Sequence, residues 1–195
     1  PVQSLIRFRL LVDKSFRKIE WKNRVARQIA AGPQERMISM YSVNMPTMDS
    51  VARFKAAMDS DKGALGPFMI GTDPAFVEAA GYAGYDFVLL DMEHGTTTFQ
   101  TLPHLIRAAN VAGVCPVVRV PRGTDIWIDQ ALDVGAGAIM IPQIDTAEQA
   151  RAAVSAAKFS PVGTRGTCRF VRSAGFGAVP GSEYFSKAQD TAVIL

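Results

Sequence analysis

The sequence predicts an α/β protein built on a parallel sheet, either a barrel or an open doubly wound sheet. Short apolar segments rich in Val, Ile and Leu alternate with amphipathic segments of helical length. The apolar segments are continuous, as in strands that are buried on both faces of a parallel sheet. Polar side chains follow several of them at the carboxyl end, where both architectures place their functional sites.

The predicted elements begin with an amphipathic helix in MDSVARFKAAMDSDKG. Val51, Phe54 and Met58 share one face of this helix, and Gly63 is a typical stop signal. The strand ALGPFMIG comes next. It is followed by the helix DPAFVEAAGYAG, with Asp73 as the N-cap and Pro74 at the first helical position.

The alternation continues with the strand YDFVLLDME, the helix TFQTLPHLIRAANVAG, the strand VCPVVRVP and the helix TDIWIDQALDVGA. The strand GAIMIPQ then precedes the helix DTAEQARAAVSAAKF, for which Asp145 or Thr146 is the predicted cap. An irregular loop leads to a last strand, TAVIL. Residues 1–48 are basic and weakly periodic, and they are interpreted as an extension of uncertain order before a domain at 49–195.

Composition limits the classes of function. A net charge of +3 gives no concentrated basic surface, so a nucleic acid is not an expected partner. No apolar run is long enough to span a bilayer, and the N-terminal segment lacks the cleavage site of a secretory signal. Cys115 and Cys168 are interpreted as free thiols in a reducing compartment, so the expected location is the cytoplasm.

The main candidate site follows the strand in YDFVLLDMEHG. Strand periodicity places Asp91 and Glu93 on one face, with His94 at the start of the loop. Asp91 can instead cap a turn, and Glu93 can instead pair with an arginine. Two carboxylates and a histidine at one strand end favour a functional site.

Three further polar residues need separate weighing. Arg119 lies between apolar residues and therefore needs an anionic partner, which is either Asp91 or Glu93 or the carboxylate of a substrate. Gln143 is the last residue of the segment GAIMIPQ. Asp133 lies at a predicted helix end, where a structural role is the usual interpretation. The first strand is followed by GTDPAF, which lacks the glycine pattern of a nucleotide-binding loop.

Four segments together resemble the HpcH/HpaI aldolase family: GYDFVLLDMEHG, PVVRVP, ALDVGAGAIMIPQIDTAEQARAAVSAAKFSPVGTRG and RSAGFG. They occur in the family's order between Met48 and Leu195. The resemblance implies a (β/α)₈ TIM-type barrel, of which this chain carries roughly the first five βα units. It also implies a metal-dependent class II aldolase, a carbon–carbon lyase that cleaves or forms 4-hydroxy-2-oxo acids from pyruvate and an aldehyde.

The resemblance also implies roles for residues. His94 matches the acid–base histidine, Asp133 its aspartate partner, and Arg119 the arginine that holds the pyruvyl group. Gln143 and Arg165 are further candidates for substrate binding. Asp91 and Glu93 match acidic residues that lie near the metal and its waters in the family. The implied cofactor is Mg²⁺, Mn²⁺ or Co²⁺, the partner is a small 2-oxo acid, and the full-length protein is expected to be a homo-oligomer.

The resemblance places the two direct carboxylate ligands of the metal beyond Leu195. This chain alone is therefore expected to be inactive. Two other functions stay open at this point. One is a truncated, non-catalytic remnant that acts as an interaction protein, and the other is an open α/β domain that binds a small acid without a metal.

Overall fold

The structure, a computed structural model, describes residues 48–195, so the predicted extension lies outside the described residues apart from its last one. Helix α1 covers Met48–Asp59 and strand β1 covers Phe68–Met69. The alternation then proceeds through α2 (Pro74–Tyr82), β2 (Phe87–Asp91), α3 (Leu102–Ala112), β3 (Cys115–Arg119), α4 (Asp125–Asp133), β4 (Ala138–Met140), α5 (Ala147–Ala156), α6 (Gly181–Ala188) and β5 (Ala192–Ile194).

The strand order decides between the two architectures. Within residues 48–195 the strands form one sheet in the order β1-β2-β3-β4-β5, and each strand pairs in parallel with the next. A doubly wound sheet needs a point at which the strand order reverses, and this sheet has none. Successive crossovers in one direction build a (β/α)₈ barrel. The predicted partial barrel is confirmed, and the open doubly wound alternative is wrong.

Both faces of the sheet are covered, which explains the continuous apolar strands. The crossover helices pack on one face through a cluster that includes Val88, Leu90, Val118 and Ile139. Helix α1 packs on the other face, where the ring of Phe54 lies 5.3 Å from that of Phe87. Phe54 is fully buried, so α1 belongs to the core. No helix of the described residues combines the length and apolar character needed to cross a membrane.

The predicted helix ends agree with the structure in most places. The Asp73 side chain accepts a hydrogen bond from the Ala75 backbone N–H at 2.9 Å, as an N-cap should. Thr146, rather than Asp145, caps α5 and forms a capping box with Gln149. Gly113 ends α3 in the left-handed conformation, at φ 67°.

The segment between α5 and β5 is more regular than the predicted loop. It contains a 3₁₀ segment, Arg172–Gly177, followed by α6. The sequence signal for α6 is short: Glu183 and Lys187 pair one turn apart, while Tyr184 packs against Phe159. Eight helical residues after Pro180 give too little periodicity to stand out from a loop.

Candidate active site

A buried ion pair joins the carboxyl ends of β2 and β3. The register places Asp91 opposite Arg119, and Arg119 opposite Met140 of β4. Arg119 Nε donates to Asp91 Oδ1 at 2.9 Å, and Arg119 Nη2 donates to Asp91 Oδ2 at 2.7 Å. Two parallel bonds of this kind fix the plane of the guanidinium group. The anionic partner that Arg119 needs is therefore present in the protein itself.

The turn after β2 is built on the same carboxylate. The backbone N–H groups of Glu93 and His94 donate to Asp91 Oδ1 at 2.9 and 3.3 Å. Gly95 is needed here, because a Cβ at this position would lie 2.3 Å from the Asp91 carbonyl oxygen. The sequence-based prediction that Asp91 and Glu93 share one face of a strand is not met, because β2 ends at Asp91 and Glu93 lies in the turn. The turn brings Glu93 back over the strand ends.

Glu93 connects the remaining polar side chains of the cluster. Its Oε2 lies 3.3 Å from Arg119 Nε. Its Oε1 accepts a hydrogen bond from Gln143 Nε2 at 3.1 Å and lies 3.6 Å from His94 Nε2. Gln143 has a φ of 57°, unusual for a residue other than glycine. The structure thus brings five predicted site residues together at the carboxyl ends of β2, β3 and β4: Asp91, Glu93, His94, Arg119 and Gln143.

Burial and hydrogen bonding shift the pKa of Asp91, whose side chain is 1% exposed, in opposite directions. Burial alone raises its pKa, but the hydrogen bonds from Arg119 and from the two backbone N–H groups outweigh burial. The net pKa lies below the ordinary value of 3.8. The bond to Asp91 in turn raises the pKa of Arg119, against an opposing contribution from burial. Both groups are therefore charged at neutral pH.

Two groups of the cluster remain available to a ligand. The His94 side chain is 71% exposed. Arg119 Nη1 donates to no residue among 48–195, whereas Nε and Nη2 are engaged. The Phe68 ring of β1 lies 5.2 Å from Arg119 Cζ and supports the guanidinium group from the neighbouring strand. Sequence reasoning missed Phe68, although its position near the end of the first strand was a usable signal.

Asp133 and Arg165 lie apart from this cluster. Helix α4 runs from the end of β3 back to the start of β4, so its last residue, Asp133, lies towards the opposite edge of the sheet. There Arg165 Nη2 donates to Asp133 Oδ1 at 2.8 Å, and Arg165 Cζ lies 4.5 Å from the Phe159 ring. The structure does not pair Asp133 with His94. Arg165 is only 5% exposed, and its role in substrate binding stays a prediction.

The carboxylates of this cluster do not fit a divalent metal by themselves. No group of three or more His, Cys, Asp or Glu side chains in residues 48–195 is arranged to hold one. Both oxygens of Asp91 accept hydrogen bonds, and both oxygens of Glu93 face donors of the cluster. A Mg²⁺ site needs direct carboxylate oxygens in near-octahedral geometry. Asp91 and Glu93 are committed to holding Arg119 and Gln143.

The family model described as HpcH/HpaI aldolase/citrate lyase matches residues 65–195, a range that includes the whole cluster. The chain belongs to this family. Members generally depend on a divalent metal.

Two curated relatives show the extent of the match. The 2-dehydro-3,6-dideoxy-6-sulfogluconate aldolase of Pseudomonas putida is 40% identical over 127 residues, which are 65% of this chain and 49% of that protein. The 2-keto-3-deoxy-L-rhamnonate aldolase of Klebsiella pneumoniae is 36% identical over 143 residues, which are 73% of this chain and 53% of that protein. The chain spans about half the length of these relatives.

Solved structures agree on the fold. A HpcH/HpaI aldolase/citrate lyase family protein from Burkholderia cenocepacia is 33% identical, with a TM-score of 0.67 over 73% of this chain and 57% of that one. Macrophomate synthase has a TM-score of 0.65 over 84% of this chain and 60% of its own, at 23% identity. That second likeness concerns the fold alone.

Proposed function

We propose that this chain carries the pyruvyl-binding part of a class II aldolase that cleaves or forms 4-hydroxy-2-oxo acids. The observation that carries this proposal is the Asp91–Arg119 fork, which holds a guanidinium group at the carboxyl end of a partial barrel. Aldolase relatives support the reaction type. The chain covers about half of those relatives, so the reaction of the whole protein is part of the proposal.

The proposed role of Arg119 is to stabilise the negative charge that develops during cleavage. Cleavage breaks the bond between C3 and C4 of the substrate, and its electron pair moves towards the 2-oxo group, whose oxygen becomes negative. A fixed positive group beside that oxygen stabilises the transition state without reorganising during the reaction. Asp91 supplies the fixing through Nε and Nη2, which leaves Nη1 for the pyruvyl oxygens.

His94 is the proposed acid–base group. Cleavage requires removal of the proton from the 4-hydroxyl group, and release of pyruvate requires a proton at C3. A histidine with an exposed ring is suited to both transfers, directly or through a water. Glu93 Oε1 lies 3.6 Å from His94 Nε2, which is an ion-pair distance but too long for a hydrogen bond, and it would attract the ring when His94 is protonated. In this proposal Glu93 occupies the place beside His94 that the family resemblance gave to Asp133.

The proposed reaction depends on a metal whose direct ligands are residues other than those of the polar cluster. Mg²⁺, Mn²⁺ or Co²⁺ remains the proposed cofactor, and we propose that its direct ligands lie outside residues 48–195, as the family resemblance implies. No step assigned to Arg119 or His94 depends on that ion.

A coupled assay for pyruvate on the full-length protein tests the proposal, with several 4-hydroxy-2-oxo acids and with or without Mg²⁺ and Mn²⁺. Arg119→Lys keeps the charge but loses the planar fork, so we expect kcat/KM to fall about a hundredfold. Arg151→Lys, an exposed change on α5, is the matched control and should have little effect. Pyruvate formation that is equally fast in both variants would reduce Arg119 to a structural role. No pyruvate from any substrate would contradict the proposed reaction.

A further inference from the structure

Arg107 and Arg172 lie close together on the outer wall of the partial barrel. Arg107 is an exposed residue of α3, and the half-buried Arg172 is the first residue of the 3₁₀ segment. A Cβ added to Gly135, just after α4, would lie 2.6 Å from Arg172 Nη1 and 3.8 Å from Ile106 Cγ2. Ile106 directly precedes Arg107 in α3. The guanidinium group of Arg172 therefore lies where α3 meets the end of α4.

The charges of these two arginines are not neutralised by the described part of the protein. Neither one pairs with a carboxylate among residues 48–195, whereas Arg119 and Arg165 both do. Burial lowers the pKa of Arg172, and the nearby charge of Arg107 lowers it further. Two like charges at a half-buried place repel each other, so an anion between them would offset both the burial and the repulsion.

Both guanidinium groups keep donors for such an anion. Arg172 Nη1 donates to the Val134 carbonyl oxygen at 3.1 Å, at the carboxyl end of α4, where a positive group is favourable. Its Nε and Nη2 have no partner among residues 48–195, and solvent reaches both atoms. Arg107 Nη1 lies 3.4 Å from His104 Nδ1, and no described residue binds its Nε or Nη2. Each arginine thus presents an edge with two parallel donors, which suits two oxygens of one anion.

We propose that Arg107 and Arg172 together bind a dianionic phosphoryl group, either inorganic phosphate or a phosphate monoester. Two positive groups balance a dianion, and a tetrahedral phosphoryl group offers a pair of oxygens to each guanidinium fork. A carboxylate offers only one such pair. The proposal does not rest on the aldolase function, because α4 ends towards the edge of the sheet opposite to the Arg119 cluster. A bound anion would link α3 to the 3₁₀ segment.

Calorimetric titration of the full-length protein with sodium phosphate, at constant ionic strength, tests the proposal. We expect Arg107→Gln to weaken phosphate binding about tenfold, the usual order for losing a hydrogen bond between charged groups. Arg151→Gln, which also removes an exposed arginine, is the control and should bind phosphate as wild type does. Acetate should bind about tenfold more weakly than phosphate, because it engages only one fork. Glycerol 1-phosphate distinguishes the two sources: tighter binding than inorganic phosphate assigns the site to a monoester, and weaker binding assigns it to inorganic phosphate.

Arg107→Glu provides a second readout on protein stability. Phosphate should raise the Tm of the wild type, because it binds the folded state. In Arg107→Glu the introduced carboxylate can pair with Arg172, so the Tm without phosphate should rise and added phosphate should raise it no further. Arg119→Lys should bind phosphate as wild type does, which separates this site from the proposed active site.

Four results would overturn the proposal. They are absent phosphate binding by wild type, equal binding by wild type and Arg107→Gln, acetate binding as tight as that of phosphate, and a loss of binding in Arg119→Lys alone. The last result would place the phosphate at the proposed active site instead.

Discussion

Asp91→Asn is the most informative single perturbation, because Asp91 holds both Arg119 and the turn that carries Glu93 and His94. The substitution keeps the shape of the side chain and removes its negative charge. It leaves a guanidinium group with 19% side-chain exposure opposite a neutral amide, with Glu93 Oε2, 3.3 Å from Nε, as its remaining carboxylate. We expect the protein to fold with a lower free energy of unfolding at neutral pH.

The magnitude follows from the contacts. Removing one partner of a buried ion pair costs about 3–5 kcal/mol. Two features of the site reduce this figure. Water reaches the partly exposed Arg119, and the amide oxygen of the new side chain can still accept from the Glu93 backbone N–H. The expected loss is therefore about 2–3 kcal/mol at pH 7.

The pH dependence supplies a second, sharper readout. The pKa of Asp91 is below 3.8 in the folded protein, so its contribution to stability is complete above pH 3.8. That contribution is lost as the pH falls below 3.8 through the folded-state pKa. Urea unfolding from pH 7 down to pH 3 should show a constant difference between wild type and Asp91→Asn above about pH 5, and a shrinking difference below pH 3.8.

Asp73→Asn provides the control. Asp73 is the exposed N-cap of α2, and asparagine caps helices about as well as aspartate, so the expected change is below about 0.5 kcal/mol. If Asp91→Asn cost no more than Asp73→Asn, or cost the same at pH 3 as at pH 7, then the ion pair would not stabilise the fold as argued.

Three further predictions concern other parts of the chain. A thiol reagent at pH 8 should react quickly with the exposed Cys168 alone, because burial raises the pKa of Cys115 to about 12. Fast labelling of Cys115, the one thiol left in Cys168→Ser, would contradict this. Phe54→Ala should lower the free energy of unfolding by about 3–5 kcal/mol, whereas Phe76→Ala, at a 66% exposed position, should change it little. Equal effects of the two substitutions in urea titrations would show that α1 is not part of the core. Asp133→Asn should lower the free energy of unfolding by about 1–3 kcal/mol, because it leaves the buried Arg165 without its carboxylate partner, and the pH profile of kcat/KM should stay unchanged. An altered pH profile would restore a role for Asp133 beside His94.

The local parts of this structure could be predicted from the sequence, and the reason is physical. The caps at Asp73 and Thr146 depend on side chains within three residues, and the apolar runs of β2 and β3 are determined by burial on both faces. The position of Asp133 could not be predicted in this way. A motif gives the residue and its place along the chain, whereas the direction of a crossover helix decides which edge of the sheet its last residue reaches.

The pairing of Asp91 with Arg119 lies between these two cases. The sequence offered Asp91, Glu93 or a substrate as the partner of Arg119, and each satisfied the requirement for an anion. The choice depends on the register of β2 against β3, which sets Asp91 directly opposite Arg119. Register is a property of the assembled sheet, so no local pattern in either strand could have fixed it.

Asp91 holds both Arg119 and the turn after β2, so a variant of Asp91 cannot by itself test the chemistry. A loss of turnover in Asp91→Asn has two possible origins, because the substitution loosens the Arg119 fork and also the turn that places Glu93 and His94. Arg119→Lys leaves both backbone hydrogen bonds to Asp91 Oδ1 in place, and its ammonium group can still pair with that carboxylate. Stability should therefore fall less in Arg119→Lys than in Asp91→Asn, while kcat/KM falls in both. If instead turnover followed stability across the two variants, the loss in Arg119→Lys would reflect the fold and not the stabilisation of charge on the pyruvyl oxygen.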